Sequence, residues 1–545
     1  MDISRRAFLV GGLAAGAGLV GARYLATPAA ASGPGDVVGA VTVGYQGWFA
    51  APGDGAPING WWHWSQDWSR RPSPANSAIV AWPDMRDYTR GYQTDYPALG
   101  DGRPATLFSS YDQQTVDTHF RWMQQNGIDT AALQRFNPNG GEGATRDAMA
   151  AKVRAAAQTY GRKFYVMYDV TNWQAMQSEI KADWTAKMSA HTASTAYARQ
   201  NGKPVVGIWG FGFADDARPW PAAACLDVVN WFKAQGCYVM GGVPTWWRRG
   251  DRDSRPGFAD VYHAFHMLSP WMVGRIGTAA DSDRFYTEAT VPDVAECAAY
   301  GIDYQPCVLP GGVRDRQRAH GDFMWRQFYN VVRAGAAGIY VSMFDEFNEG
   351  NQIAKTAETL ADVPAGSGLL ALDEDGTRCS TDYYLRLTGD GGRMLKRQLA
   401  LTATRPTPPT VGTPPPAVTT VSLRSRADGR YVCAESAGAQ PLIANRDAIG
   451  QWERFDRIDL GGGRIALRAQ ANGRYVTAGT APLLADATAV GTAQTSTPVA
   501  GGGGSTSLVA AANGRYVCAE SAGTQPLVAN RDAIGLWEQF DLVAG

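Results

Sequence analysis

The sequence lacks an excess of either charge. Its 545 residues include 50 lysines and arginines against 51 aspartates and glutamates, so the formal net charge is -1. A chain this balanced has no electrostatic attraction to nucleic acid or to an anionic membrane surface. We therefore expect no nucleic acid partner and no electrostatic binding to a lipid surface.

Cysteine is scarce as well. There are seven cysteines, an odd number, and no two of them form a CxxC pair. Neither a disulfide framework nor a zinc site is predicted from such a pattern.

Long hydrophobic runs are absent after the N-terminus. The apolar stretch at residues 10–20 is shorter than a membrane-spanning helix needs. It follows SRRAFL at residues 4–9, a twin-arginine pattern, and precedes three small residues at 29–31. We interpret residues 1–31 as a twin-arginine signal peptide; an uncleaved N-terminal anchor is the alternative. The protein is thus expected to be secreted, extracellular or attached to the cell surface, with no integral membrane association after cleavage.

Aromatic residues are abundant, with 18 tryptophans and 22 tyrosines. Flat aromatic rings suit the apolar faces of sugars, although large domains also bury many aromatics in their cores. The length allows two or three domains. The clearest boundary is a window with six prolines at residues 405–418, which favours an extended spacer. We predict a linker at 403–419 between domains at 38–402 and 420–545.

The C-terminal part repeats itself three times. A Gly-Arg-Tyr-Val segment places Tyr431, Tyr475 and Tyr516 in register, about forty residues apart. Asp-Gly or Asn-Gly pairs precede each copy and predict tight hairpin turns. The middle copy has lost a Trp-Glu-x-Phe ending that the other two carry. Three such units, rich in short alternating strands, predict an all-β β-trefoil over residues 420–545.

The larger part alternates strands and helices. Helical patterns cover residues 114–126, 144–160, 221–235, 291–300 and 323–334, and glycines at 127, 236, 301 and 335 predict left-handed helix ends. Eight strand–helix units predict a (β/α)8 TIM barrel of class α/β; a doubly wound sheet is the alternative. Short apolar runs lie at 41–45, 129–134, 164–169, 205–209, 238–242, 271–274, 304–309 and 338–343.

Carboxylates follow the last predicted strand. In a TIM barrel the chemistry lies at the carboxyl ends of the strands. Glu346 and Glu349 stand three residues apart, so a single helical turn would place both on one face. Glycoside cleavage uses two carboxyl groups, and mutual repulsion would raise the pKa of one of them. The alternative is a structural role for these acids at a helix start or in a salt-bridged rim.

Other predicted strand ends carry aromatic, charged and histidine side chains that together describe a sugar cleft. Each of them could instead serve packing or hydrogen bonding within the fold. The candidates are Tyr45, Trp48, His63, Trp64, Arg135, Asp169, Trp209 and Trp246.

These residues carry a resemblance to glycoside hydrolase family 99 and to the related family 71/99-like proteins. The specific match is EFNEGNQI at residues 346–353, where the family has EWHEGTQI. The resemblance implies a retaining, endo-acting enzyme on α-mannosyl chains, with no metal or organic cofactor. It assigns Glu349 as general acid/base and Glu346 as the base that deprotonates the substrate's 2-hydroxyl. It also adds Asn348 and Gln352 to the substrate-binding residues.

Two departures from the family motif bear on specificity. Phe347 and Asn348 replace its Trp and His, so the sugar is less well defined than the reaction class. A non-catalytic, secreted glycan-binding protein that uses the barrel cleft and the C-terminal domain is the alternative.

The C-terminal repeats resemble the fascin-like β-trefoil. Because export is expected, actin is not expected as a partner, and polysaccharide is. Carbohydrate binding by this domain, with a purely structural role as the alternative, would involve Glu435, Asn445 and Arg446 and their counterparts Glu520, Asn530 and Arg531.

Overall fold

The computed structural model describes residues 32–410, 418–461 and 463–544, so the predicted signal peptide lies outside the described residues. The chain divides into two compact units, with the division between residues 410 and 411. Within the described residues no helix is both long and apolar enough to cross a bilayer.

The first unit is an α/β domain with a curled parallel sheet. Its strands are β1 Val41–Tyr45, β2 Thr130–Arg135, β3 Lys163–Asp169, β4 Lys203–Trp209, β5 Tyr238–Pro244, β6 Met267–Trp271, β7 in two segments (Asp303–Tyr304 and Cys307–Val308) and β8 Ile339–Val341. Neighbours pair in parallel from β1 to β6. The first segment of β7 pairs with β6 and the second with β8, which pairs with β1. The sheet therefore curls back on itself, as in a TIM-like domain.

Helices follow most of these strands. They are α1 Gln113–Gln125, α2 Gly143–Tyr160, α3 Met176–Ala186, α4 Ala222–Ala234, α5 Ala259–Ala264, α6 Ala279–Phe285, α7 Val291–Ala299, α8 Asp322–Ala334 and α9 Tyr383–Leu395. A π-helical turn, Tyr286–Thr290, joins α6 to α7. Short strands at Tyr92–Gln93, Thr106–Leu107 and Arg199–Gln200 lie outside the alternation. The four predicted helix-ending glycines all have positive φ, between 66° and 93°.

Two sequence-based expectations change in this unit. The sixth strand was predicted at 271–274 but runs over Met267–Trp271. The Ser269-Pro270 pair is typical of a turn, yet the strand continues through it. In addition, the first part of the predicted linker is held on the first unit. The carbonyl of Pro409 accepts from the Ser380 amide at 3.0 Å, and Arg405 pairs with Asp322 at 2.8 Å.

The core of the first unit fills the sheet interior and the space between sheet and helices. Among the described residues, five tryptophans in it are less than 2% exposed. Gly44 in β1 shows how closely the interior is packed, because a Cβ there would overlap Tyr340 and Met343. Glycine at this position lets both side chains enter the sheet interior from β8 and the segment after it.

The second unit is all-β. Its strands are β9 Val418–Ser425, β10 Tyr431–Cys433, β11 Ile443–Arg446, β12 Phe455–Gly461, β13 Arg464–Ala469, β14 Tyr475–Thr477, β15 Leu484–Ala487, β16 Ser496–Ala500, β17 Thr506–Ala510, β18 Tyr516–Ala519, β19 Leu527–Arg531 and β20 Phe540–Ala544. Strands β9, β12, β13, β16, β17 and β20 pair in that order as a closed antiparallel barrel, and β20 returns to β9. The remaining strands form one hairpin per repeat.

The three hairpins meet around a ring of backbone hydrogen bonds. The amide of Leu442 donates to the carbonyl of Leu483, Leu483 donates to Leu527, and Leu527 donates to Leu442, each at 2.8 Å. The ring relates the three sequence repeats by an approximate threefold arrangement. The glycines of the predicted hairpin turns, at 429, 473 and 514, have φ of 70–76°.

Candidate active site

A cleft of about 330 Å³ opens where the carboxyl ends of the parallel strands meet. Carboxylates, amides and aromatic rings share its surface. Its lining consists of Gln46, Trp48, Gln134, Phe136, Asp169, Thr171, Trp209, Arg218, Trp271, Val273, Tyr340, Met343, Glu346 and Glu349.

The two glutamates reach this cleft from one turn after β8. The carbonyl of Glu346 accepts from the amides of Glu349 at 3.3 Å and Gly350 at 3.1 Å. Gly350 has φ of 77°, which glycine adopts without strain. A single turn, rather than an α-helix, therefore directs both carboxyl groups into the same cleft.

Asp345 is the third carboxylate of this segment, and it has a structural task. It is fully buried and accepts from the backbone amides of Gln46 and Gly47, both at 2.8 Å. Burial raises its pKa to about 6, and the two amides oppose that shift. The aspartate thus ties the turn after β8 to the end of β1.

Glu346 is buried, with 6% of its surface exposed. Burial is the main cause of its raised pKa, and the nearby Glu349 raises it further. Hydrogen bonds from Asn351 and Gln46 act in the opposite direction, and the Gln46 amide lies 3.0 Å from Oε1. Glu349 is exposed to the cleft, and its partial burial raises its pKa as well. The pair therefore holds protons at a higher pH than free carboxyl groups do.

Arg146 of α2 fixes the strand ends that carry two of the lining amides. It is buried, and its guanidinium donates to the carbonyls of Gln46 at 2.6 Å and Gln134 at 3.2 Å. Glu142 pairs with it at 2.8 Å. Gln46 is thereby held where its side chain reaches Glu346.

Aromatic rings form two walls of the cleft. On one side, Trp48 stacks against His63 with ring centroids 3.9 Å apart, and Phe136 stacks on the same indole at 6.1 Å. On the other side, Trp209 and Trp271 meet edge to face at 5.3 Å. Rings arranged in this way present flat apolar surfaces inside a polar cleft.

Two charged groups accompany the second wall. The guanidinium of Arg218 lies 4.5 Å from the centre of the Trp209 ring. Asp169, at the end of β3, accepts from the Thr171 amide at 2.9 Å, and burial raises its pKa. Both groups can hydrogen bond to hydroxyls of a ligand that stacks on Trp209.

Trp48, Asp169, Trp209, Glu346 and Glu349 are the predicted site residues that line the cleft. His63 lies behind Trp48 and supports it by stacking. Burial lowers the pKa of His63 to about 3, with a further contribution from Arg146, so the ring is neutral.

Arg135 does not line the cleft, contrary to our expectation. It is 2% exposed and pairs with Asp183 of α3 at 2.5 Å and with Asp147 of α2 at 2.7 Å. Because successive strand residues point to opposite faces, the preceding Gln134 enters the cleft and Arg135 points into the helix layer.

The same alternation places Tyr45 outside the cleft lining, contrary to our expectation. Its hydroxyl hydrogen bonds to Nδ1 of the buried His119 at 2.9 Å, on the helix side of β1. The indole of Trp64 donates to the Phe108 carbonyl at 2.9 Å and is fully buried. Both residues belong to the core.

The remaining predicted residues lie outside the cleft lining. Trp246 is buried against Phe285, with ring centroids 5.6 Å apart. Gln352 is fully buried and donates to the Thr356 hydroxyl at 2.9 Å. Asn348 is half-buried, and its Oδ1 has no hydrogen-bond partner within the described structure.

Several lining residues were missed. Tyr340 lies inside β8 and accepts from the Gln134 amide at 3.0 Å. Trp271 was placed at the start of a strand that in fact ends there. Arg218 lies in the loop after β4, where no regular spacing of residues indicates which side chains face the cleft. Knowledge of which strand residues face inward would have identified Gln134 and Tyr340.

Metal ligands do not cluster in the described ranges: no group of three or more His, Cys, Asp or Glu side chains is placed to hold an ion. The seven cysteines are all buried and unpaired.

Neither a family model nor a curated protein matches the sequence. Among solved structures, the GH99 endo-alpha-mannosidase from Bacteroides thetaiotaomicron is 15% identical over 67% of this chain and 100% of its own, with a TM-score of 0.47. The designed 3-fold symmetric protein ThreeFoil is 23% identical over 23% of this chain and 97% of its own, with a TM-score of 0.22. An exo-beta-1,3-galactanase from Clostridium thermocellum is 16% identical over 27% of this chain and 33% of its own, with a TM-score of 0.23.

Proposed function

We propose that the protein is a secreted glycoside hydrolase that cleaves α-linked polysaccharide with retention of configuration. Its first unit would be a (β/α)8 barrel with Glu346 and Glu349 as the reacting carboxyl pair. One observation carries the proposal: the two glutamates line the same aromatic-walled cleft, and both have raised pKa values.

The surroundings of the two glutamates suit different roles. Glu349 is exposed to the cleft, so it can protonate the leaving oxygen and exchange protons with water afterwards. Glu346 is buried and oriented by Gln46. A raised pKa makes its ionised form a stronger base toward a sugar hydroxyl, at the pH where that form is populated.

In the proposed first step, Glu346 takes the proton of the substrate's 2-hydroxyl while that oxygen attacks the anomeric carbon. The glycosidic bond breaks, and its oxygen takes the proton of Glu349. A 1,2-anhydro sugar results. In the second step, Glu349 removes a proton from a water that attacks the same carbon, and the 2-oxygen regains its proton from Glu346. Two inversions give net retention. Direct attack by Glu346 is the usual alternative for a retaining pair.

The substrate is proposed from the cleft walls and the family resemblance. Trp48, Trp209 and Trp271 offer stacking faces, and Asp169 and Arg218 offer hydrogen bonds. An α-mannan-like polymer is the first candidate. Because Asn348 replaces a histidine of the family motif, another α-linked sugar is the second. Where its 2-hydroxyl lies cis to the leaving oxygen, as in α-glucans, cleavage would proceed by direct attack of Glu346 instead. The C-terminal unit would be a β-trefoil that binds polysaccharide.

The test is hydrolysis by the mature protein of α-mannans, α-glucans and arabinose- or galactose-containing polysaccharides, with products separated by chromatography. Glu346→Gln and Glu349→Gln should each abolish product formation. Glu288→Gln is the matched control, because Glu288 is a half-exposed surface carboxylate paired only loosely with Arg284, at 3.8 Å.

Products that persist in the Glu349→Gln protein would disprove the assigned acid. A folded protein that binds one of the polymers without releasing products would favour a non-catalytic glycan-binding protein instead.

A further inference from the structure

The C-terminal unit exposes two tryptophans at equivalent positions. Trp452 and Trp537 are each 37% exposed. Their equivalence is structural, because the amide of Ala434 donates to the Trp452 carbonyl at 2.8 Å and that of Ala519 donates to the Trp537 carbonyl at 2.9 Å. In the middle repeat the same bond, at 2.8 Å, runs from Ala478 to Ala493, so an alanine stands where the other repeats have tryptophan.

A charged cluster accompanies each tryptophan. In the first repeat, Glu435 accepts from the Asn445 amide at 3.0 Å and from Arg446 at 2.8 Å. The other side of Arg446 faces Glu453, the residue after Trp452, at 3.8 Å. The third repeat has the same cluster at 2.7, 2.7 and 3.8 Å, made by Glu520, Asn530, Arg531 and Glu538.

Both clusters also leave the same acceptor unused. The Oδ1 atoms of Asn445 and Asn530 are buried and have no hydrogen-bond partner within the described structure. Two unsatisfied carbonyl groups at equivalent positions are a repeated feature, and each retains an unused hydrogen-bond acceptor in the cluster beside the exposed tryptophan.

The middle repeat shows that the hairpin does not need this cluster. There the Gln494 amide donates to the Thr477 hydroxyl at 2.9 Å, and that hydroxyl donates to Asp486. The amide of Gly491 donates to Gln494 at 3.0 Å. The corresponding glycine amides of the first and third repeats donate to Glu453 and Glu538, both at 2.7 Å, so Gln494 makes the same bond without a charge. The Arg446 and Arg531 pairs are therefore additions that the middle repeat lacks.

We propose that the C-terminal unit has two glycan-binding sites, in the first and third repeats, and that the middle repeat has none. In each site, the exposed indole face of Trp452 or Trp537 stacks on a sugar ring, and the adjacent Glu–Arg–Asn group hydrogen bonds to its hydroxyls. The inference rests on the proposed polysaccharide-binding role of this unit and specifies its number of sites and its residues.

The test measures retardation of the full chain in native gels that contain α-mannan, α-glucan or arabinogalactan. Glu349→Gln is present throughout, to prevent digestion. The variants are Trp452→Ala, Trp537→Ala and their combination. The fold should tolerate them, because the middle repeat already has alanine there. Leu536→Ala is the control, since Leu536 is 57% exposed beside Trp537.

We expect each single substitution to weaken retention by one polymer about 100-fold, because losing one of two linked sites removes avidity. The double variant should lose this retention, and Leu536→Ala should retain it. Retention of the double variant at the level of the parent, or no retention of the parent by any of the three polymers, overturns the inference. Hydrolysis is assayed separately with Glu349 restored. Tryptophan-dependent binding without hydrolysis would refute the proposed hydrolase activity but would still support the two glycan-binding sites.

Discussion

Arg135 offers a direct test between a binding role and a structural one. Its guanidinium lies 2.5 and 2.6 Å from the two carboxylate oxygens of Asp183, and both side chains are 2% exposed. Arg135→Met would leave the Asp183 carboxylate with the Tyr168 hydroxyl, at 2.8 Å, as its remaining strong donor. Breaking a buried ion pair on one side typically destabilises a protein by about 3–5 kcal/mol.

That magnitude is a large part of a domain's stability, which is about 5–15 kcal/mol. Replacing both partners avoids the uncompensated charge. Arg135→Met combined with Asp183→Leu should therefore recover most of the loss, since an apolar pair of similar volume is often neutral. Arg121→Met is the matched control, because Arg121 is 39% exposed and 3.9 Å from Asp87. It should change stability by less than about 1 kcal/mol.

Urea unfolding monitored by tryptophan fluorescence measures these differences. The chain has two compact units, so two transitions are expected, and only that of the first unit should shift. The C-terminal transition then serves as an internal reference. Binding of polysaccharide by folded Arg135→Met protein should be unchanged. A stability loss below about 1 kcal/mol together with weakened polysaccharide binding would refute the structural role.

Three further outcomes follow from the site and the core. Gln46→Leu removes a hydrogen bond that lowers the pKa of Glu346, so the acidic limb of the kcat/KM profile should move to higher pH; an unmoved limb would exclude Glu346 as the base. Trp209→Ala should raise KM at least about tenfold with little loss of stability, whereas Trp246→Ala should destabilise by about 3–5 kcal/mol at unchanged KM, and kinetics with urea unfolding separate the two. The seven thiols are buried, so iodoacetamide should label none in the native protein and all after denaturation, as counted by mass spectrometry; rapid native labelling would contradict this burial.

The strands and helices of the first unit were largely predictable because most of them have a characteristic pattern of residues within their own short segment of sequence. Alternating apolar runs and glycine-terminated helices gave β1 to β5 and α1, α2, α4, α7 and α8 within a few residues. Four helices were missed, among them α3. It packs against the neighbouring α4, a contact that its own sequence pattern does not indicate.

The candidate site was predictable where it lies on a turn and less so where it lies on a strand. Glu346 and Glu349 follow the last strand, and one turn brings both to the cleft. At the ends of β1 and β2, however, Gln46 and Gln134 are adjacent to the predicted Tyr45 and Arg135. Because side chains alternate along a strand, a shift of one residue there moves the assigned side chain from the cleft to the helix layer. The curvature of the whole sheet sets which residues of each strand face inward. A local sequence pattern does not contain that information.

In the C-terminal unit, the first strand β9 pairs with the last strand β20 over five residue pairs, from Val421 with Ala544 to Ser425 with Phe540. The two ends of this unit are therefore neighbours. A short peptide could join them, and the chain could instead be opened at another turn. A circular permutant that joins these ends and opens at the turn of Asn472 and Gly473 would keep every barrel pairing and the ring of three leucine amides. The chain of this unit could thus begin in another repeat without a change in the order of its paired strands.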